Sequence, residues 1–386
     1  MIHAFTAFTS EIDRPETAVS DILSQLQLRT QLRAHAVGIL TCYAEFLDSG
    51  VVSALCACLP FPVVGTTTKA SGVHGAQGPL LLTLMVLTSD QADFSVALTG
   101  PLTGDPEQPI ALTYQHAAHA LGKRPMLALA FAPLIFHHPG DLFVSCLNNA
   151  SGGVPVFGTL AVDHTDDYGE SRVIYGGHAV RDAMAILLLG GDLSPTFYTA
   201  ALAPEHFAEQ REAVITAAQG NLLVAVNGMP LSRYLETLGL ASNGHVSAGV
   251  NTIPFLVDDH AGGKPFVRAL FAITPEGYGV CGGSMPVGAT LSLGGMDRRV
   301  VLSTAQALIR EVLATPPRAL LGFTCIARHL ALGADALAEL HLLAQELPAS
   351  LPYLICYSGG EICPMYTPGG ATINRFHNNT LTLCAL

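Results

Sequence analysis

Four short stretches carry the side chains best suited to hold a small charged ligand. In Gly65-Thr66-Thr67-Thr68-Lys69, a glycine permits close backbone approach, three hydroxyls can ring an acidic head group, and Lys69 adds positive charge. The competing reading is a strand-ending turn whose threonines bond their own backbone. Arg328 follows the apolar run 320–325, where it can grip a carboxylate through two parallel N–H bonds. Its alternative is a structural ion pair with a nearby acid, for which Glu361 is the candidate. Ser358-Gly359-Gly360-Glu361 forms another small-residue turn. Glu361 can accept from an ammonium group, so that Arg328 and Glu361 together would hold both ends of an amino acid. His377 and Asn378 interrupt the chain before a last apolar strand, either as ligand contacts or as a satisfied hairpin turn.

Other chemistries find less support. A Cys325 nucleophile would need a positive neighbour, Arg328 or His329, to hold its thiolate. Yet it sits in an apolar strand, where free cysteine is usually inert. Cys56 and Cys58 lie two apart on a predicted helix and face away from each other. The runs 163–167 and 258–260 hold aspartates and a histidine that can meet a hard cation, or can be solvated loops. Gly277-Tyr278-Gly279-Val280-Cys281-Gly282 matches a dinucleotide fingerprint, but Gly283 and Pro286 follow at once and no helix opens there. The expectation is no metal, no cofactor and no assigned catalytic residue.

These segments must be positioned by elements, and the elements repeat. An apolar strand at 36–41 leads to a helical pattern over 43–59, then Pro62-Val63-Val64-Gly65-Thr66. A strand at 127–131 leads to a helix over 140–150, then Pro155-Val156-Phe157-Gly158-Thr159. A strand at 320–324 leads to a helix over 334–346, then Pro352-Tyr353 and a strand ending in Ser358-Gly359-Gly360. Short strands bridged by helices imply parallel pairs. Turn-rich runs between the copies, at 79–87, 171–175 and 265–273, imply antiparallel partners. The predicted fold class is therefore α/β (mixed α+β): two related halves, mixed sheets covered by helices, and internal duplication. A polar helix over 201–219 marks the expected boundary, giving domains 1–203 and 204–386.

Several segments resemble the FIST domain family. Asn221 to Leu231, Pro265 to Arg268, Met285 to Ala289, Phe323 to Arg328, Tyr357 to Pro364 and Phe376 to Thr380 are similar to its C-terminal portion. Val63 to Thr68 and Tyr175-Gly176-Gly177 are similar to its N-terminal portion. The resemblance implies a sensory domain of signal transduction that binds a small ligand such as an amino acid or small carboxylate. It favours a ligand role for Arg328, and since no output domain is recognised, an unknown signalling partner protein is expected to read the bound state. This chain lacks the acid that often follows the first Gly-Thr turn, and His329 replaces a glycine. The second-half turn thereby becomes the better place to look.

Bulk properties narrow the rest. The chain has 386 residues, a formal charge of -12 and half its residues hydrophobic. A nucleic-acid binder needs a basic face to neutralise phosphates, and no Lys/Arg run occurs. The longest apolar stretches fall short of the ~20 residues that span a membrane. Nine cysteines with no export signal point to a reducing compartment and a cytoplasmic location. The alternatives to a sensor are an enzyme using Cys325 or His377, and a non-catalytic scaffold or adaptor.

Overall fold

The computed structural model describes residues 2–202, 213–242, 245–246, 253–260, 265–366 and 372–386. One strand-helix-strand-helix-strand unit occurs three times in order along the chain. The first comprises β1 (His3–Thr9), α1 (Pro15–Leu26), β2 (His35–Cys42), α2 (Val51–Cys58), β3 (Val63–Thr67), the hairpin β4 (Ser71–Val73) and β5 (Ala76–Gly78), and β6 (Leu82–Ser89). The second comprises β7 (Asp93–Leu98), α3 (Glu107–Leu121), β8 (Pro125–Ala132), α4 (Gly140–Ser151), β9 (Val156–Leu160), the hairpin β10 (Val173–Tyr175) and β11 (His178–Val180), and β12 (Ala185–Gly190). The third begins with β13 (Thr196–Ala200) and is interrupted by an insertion.

The insertion supplies β14 (Ala213–Gln219), β15 (Leu222–Val226), α5 (Leu231–Thr237), β16 (Pro254–Asp258), β17 (Phe266–Ile273), β18 (Gly279–Cys281) and β19 (Thr290–Leu293). The third unit then resumes with α6 (Arg298–Ala314), β20 (Leu320–Cys325), α7 (Ile326–Leu332), α8 (Ala338–Glu346), β21 (Tyr353–Ser358), the hairpin β22 (Glu361–Tyr366) and β23 (Thr372–His377), and β24 (Leu381–Ala385).

The three main sheets have one topology. Their orders are β1-β6-β2-β3-β10-β11, β7-β12-β8-β9-β22-β23 and β13-β24-β20-β21-β4-β5. The central pairs β2–β3, β8–β9 and β20–β21 are parallel, as their helical crossovers require. The outer two strands of every sheet come from a different unit. Unit 1 gives its hairpin to the sheet of unit 3, unit 3 to that of unit 2, and unit 2 to that of unit 1. The exchange closes on itself, so no unit completes its sheet alone.

Side-chain alternation along each strand serves two cores. The inner faces of all three sheets meet around Ile39, Val64, Phe131, Leu187, Phe323 and Leu354. Phe157 stacks on Phe323 with ring centroids 5.1 Å apart, and Phe131 meets Phe323 edge-on at 6.2 Å. Each outer face buries its own helices: α1 and α2 in unit 1, α3 and α4 in unit 2, α6 and α8 in unit 3. The insertion is all antiparallel, in the order β14-β19-β16-β17-β18-β15, and β14–β15 pairing closes it into a small barrel. Its own core is built on Leu223, Leu231, Phe255 and Leu270.

Mixed sheets covered by helices and repeated strand-helix-strand-turn units are therefore present. The expected boundary at 203/204 falls at the edge of 203–212, outside the described residues. Sheets are shared across that point, since β13 pairs with β24. Two local expectations change. The helix expected over 43–59 is two pieces, Glu45–Asp48 and Val51–Cys58, because Gly50 between them takes a φ of 82°. Of the expected 201–219 helix, residues 213–219 form strand β14, whose Ala213 and Ile215 are buried in the barrel core, and 201–202 are irregular. Among the described residues, no helix is long and apolar enough to cross a membrane.

The repeated Pro-Val-apolar-Gly-Thr pattern has a steric cause. A Cβ on Gly65 would sit 1.7 Å from the Leu40 carbonyl oxygen, and one on Gly158 2.1 Å from that of Ala130. Both obstacles are backbone atoms of the neighbouring parallel strand, which cannot rotate away. Gly65→Ala and Gly158→Ala are each expected to cost about 1–3 kcal/mol through forced backbone shifts. Urea unfolding measures this; a loss below ~0.5 kcal/mol at both positions would show that the strands separate freely.

Candidate functional site

The turns at the ends of β3, β9 and β21 are bonded to one another. The Thr68 hydroxyl donates to the Tyr357 carbonyl at 2.7 Å, and Tyr357 N–H donates to Ala70 O at 3.1 Å. Gly359 N–H donates to Leu160 O, and Leu160 N–H to Gly360 O. The repeated unit thus brings its three C-terminal turns to one place, the edge where open α/β sheets bind ligands.

Most of the polar groups expected to meet a ligand are already used. Thr66, Thr67 and Thr68 are buried, and their hydroxyls donate to backbone carbonyls of Thr67, Arg172, Ala70 and Tyr357. Gly65 serves the strand contact described above. Lys69 is half-buried, and its charge helps depress the pKa of His329. Gly359 and Gly360 fit closely against Val162 and the Phe376 ring respectively. His377 is half-buried with Nε2 3.1 Å from Cys363 O, and burial pulls its pKa down to about 4. Asn378 is buried and accepts from Ala269 N–H at 3.4 Å, tying the barrel to the three-sheet body. A second tie is the Arg268–Asp141 ion pair at 2.8 Å.

Arg328 does not pair with Glu361. Both Arg328 and Glu339 are 0% exposed, and the guanidinium donates to Glu339 Oε1 through Nε at 2.9 Å and Nη2 at 2.5 Å. Nη2 also reaches Val301 O and Thr304 Oγ1, while Thr324 donates to the other Glu339 oxygen. The arginine rivets α7 to α6 and α8. It was expected at a ligand because it follows a strand end; helix α8, opposite it, supplies a buried acid instead. Glu339 had no sequence signal beyond its place on an amphipathic helix.

Glu361 lies in a separate buried nook. Ser358 and Thr380 hydroxyls donate to its two oxygens at 2.5 and 2.6 Å. Burial pushes its pKa up to about 8, against the pull of those two hydroxyls. Cys325 is fully buried nearby; burial first, then the Glu361 charge, pushes its thiol far above the ordinary range. That environment suits an inert thiol.

What remains unpaired is informative. Among the described residues, nine buried side-chain polar atoms lack a partner. Six of them belong to Glu45, Asp163, His164, Arg328, His329 and Asn379, all near these turns or the ends of β2 and β20. Tyr43 stacks on His164 with centroids 4.5 Å apart, and His164 Nε2 lies 3.4 Å from Glu45 Oε1. The Tyr43 hydroxyl is pushed up by burial, then by the charges of Glu45 and Asp163. Burial likewise pushes Tyr168 up to about 12, with Cys325 and Asp163 adding to it. The sequence offers Asp163 and His164 as cation ligands within a run of acids; Tyr43 and Glu45 carry no such signal. Among the described residues, no three His, Cys, Asp or Glu side chains converge to hold a metal ion.

Comparison with known families decides the lineage. The FIST N domain matches residues 36–229 and the FIST C domain matches residues 230–364. The chain belongs to the FIST family. FIST domains are sensor domains of signal transduction. No curated protein matches the chain. One similar solved structure is a cyanuric acid hydrolase from A. caulinodans, at 9% identity and TM-score 0.38 over 100% of this chain and 99% of that one. A likeness at that score carries no argument about the activity of this FIST protein.

Proposed function

We propose that this FIST protein is a cytoplasmic sensor that binds a small polar metabolite, an amino acid or small carboxylate, where the three turns converge. A partner protein then reads the bound state. One observation supports this most: the unpaired buried polar atoms gather at these turns and strand ends. Each such atom costs about 1–3 kcal/mol of lost hydration, which a ligand can return. Lys69, half-buried, near His329 and without a hydrogen bond or ion pair among the described residues, supplies a cation for a carboxylate. The buried turn threonines and Ser358, Gly359 and Gly360 act as walls that fix these groups.

Binding to the native state alone stabilises it by about 2.7 kcal/mol at a hundredfold excess over Kd. A thermal-shift series over amino acids and small carboxylates is therefore expected to raise Tm by a few degrees for a subset of compounds. Lys69→Met should weaken the response to carboxylates, and Cys325→Ala should leave it unchanged. Uniform lack of stabilisation would sink the sensor reading. Turnover that disappears in Cys325→Ala while binding persists would establish the enzyme instead.

A further inference from the structure

We propose that the barrel is the output element of this sensor, and that Phe376 and Asn378 couple its docking on the three-sheet body to the position of the turn from Ser358 to Glu361. The inference rests on the sensor reading for the ligand's part and names the element through which the turn is read.

The barrel is built to move as a unit. Pairing of β14 with β15 closes it, and its core is separate from those of the three sheets. On one side Val267 and Leu256 pack with Val300 and Val301 of α6, beside the Gly294-Gly295 step that leads from β19 into that helix. The other side is polar. Arg268 reaches from β17 to Asp141 on α4 at 2.8 Å and to Phe376 O at 3.5 Å. Ser284 N–H donates to the second Asp141 oxygen at 2.7 Å, and Ala269 N–H to Asn378 Oδ1 at 3.4 Å. Gly140 N–H donates to Gly282 O at 3.4 Å, and Asn221 Nδ2 to Phe136 O at 2.9 Å. The Asp141 side chain is 30% exposed, so water can take over its bonds at a small net cost. Water offers the apolar side no such exchange. Opening therefore breaks the polar joint and pivots on α6.

The joint is tied to the turn by contacts that leave no slack. The Phe376 ring is wedged between Gly140 and Gly360, and a Cβ on either glycine would overlap it. Asn378 touches both parts: a Cβ on Gly282 of the barrel would stand 2.5 Å from its Oδ1, and one on Gly360 3.2 Å from its Nδ2. Pairing of β23 with β22 sets Phe376 opposite Ile362 and His377 opposite Glu361, which runs the strand into the turn itself. A shift of Gly360 thus displaces the groups that hold the barrel. Undocking in turn withdraws the ring that supports Gly360. Close-packed neighbours shift together, and such coupling is reciprocal.

The test needs no ligand. Amide hydrogen exchange is followed by NMR on the whole unliganded chain. Ala269 and Gly140 report the joint, while Leu160 and Gly359, whose N–H groups bond to Gly360 O and Leu160 O, report the turn. Gly38, bonded to Pro62 O in the first sheet, is the control. Asp141→Ala is expected to speed all four amides at least tenfold and to leave Gly38 unchanged. Gly360→Ala, acting from the other end, should speed Ala269 and Gly140 likewise. Joint amides that accelerate while Leu160 and Gly359 keep their rates would overturn the coupling and leave ligand sensing intact; no change at any of the four would overturn it too. Where a variant fails to fold, the unaltered chain decides. Under rising sub-denaturing urea its four amides are expected to open in one step of their own, and Leu160 and Gly359 opening with Gly38 instead refutes the proposal. Absence of stabilisation throughout the thermal-shift series removes the sensor and not the joint.

Discussion

Replacing Arg328 by methionine is expected to lower the unfolding free energy by about 3–5 kcal/mol, the usual result of breaking a buried ion pair from one side. The guanidinium and Glu339 are both 0% exposed, so the stranded carboxylate has no water to fall back on. Thr324 alone would still donate to it. Three elements would loosen together, since Arg328 joins α7 to Val301 and Thr304 on α6 and to Glu339 on α8. The double variant Arg328→Met/Glu339→Leu removes both charges and should recover more than half of the loss, because a buried pair and an apolar replacement of similar volume are close in energy. Urea denaturation of the single and double variants gives the cycle. A single-variant loss under ~1 kcal/mol would mean the pair is effectively solvated, at odds with its burial.

Stability is also expected to fall with rising pH through neutrality, and Glu361→Gln should abolish that fall. In the folded chain Glu361 holds its proton up to about pH 8, whereas its ordinary value is 4.5. Below 4.5 both states are protonated and the group costs nothing. Between 4.5 and 8 the unfolded chain binds fewer protons than the native one, so stability drops by about 1.4 kcal/mol per pH unit. Above 8 the drop levels off. At pH 7 the accumulated cost is on the order of 3 kcal/mol, and a neutral glutamine of the same shape avoids it. His329 and His377, both held down to about 4 by burial, act in the opposite direction: they cost stability as pH falls from 6.5 towards 4. Their contribution is nearly silent above 6.5, so the range from 6.5 to 8 isolates the glutamate. Parallel pH profiles for wild type and Glu361→Gln over that range would refute the assignment.

The pH effect and the ion pair both concern residues that looked like ligand contacts in the sequence. Arg328 and Glu361 stand at corresponding strand ends, and that placement was legible. Their partners were not. Glu339 lies eleven residues after Arg328 on another helix, and Thr380 comes from the turn before β24. Only the docking of α8 and the return of β24 bring those groups within 3 Å. The three hydroxyls of Thr66 to Thr68 illustrate the same limit. Their types suit an anion cradle, but the loop ending at Arg172 and the strand ending at Ser358 fill it with carbonyls. Glu45 and Tyr43 were hidden inside an expected helix over 43–59. The break at Gly50 needs a positive φ that an apolar periodicity does not report.

By itself the sequence determined the repeated strand-helix-strand-turn unit, because side-chain period and the Gly-Thr turn are local signals. It also determined the FIST lineage, through motifs spread over most of the chain. The tertiary structure decided how three such units trade hairpins around a ring, and therefore which turns meet. It decided which polar groups are spent on the backbone and which are left bare at Asp163, Glu45 and His164. The reason is physical: hydrogen-bond satisfaction depends on atoms brought together from residues more than a hundred positions apart, as Glu45 and His164 are, and no local pattern encodes that distance.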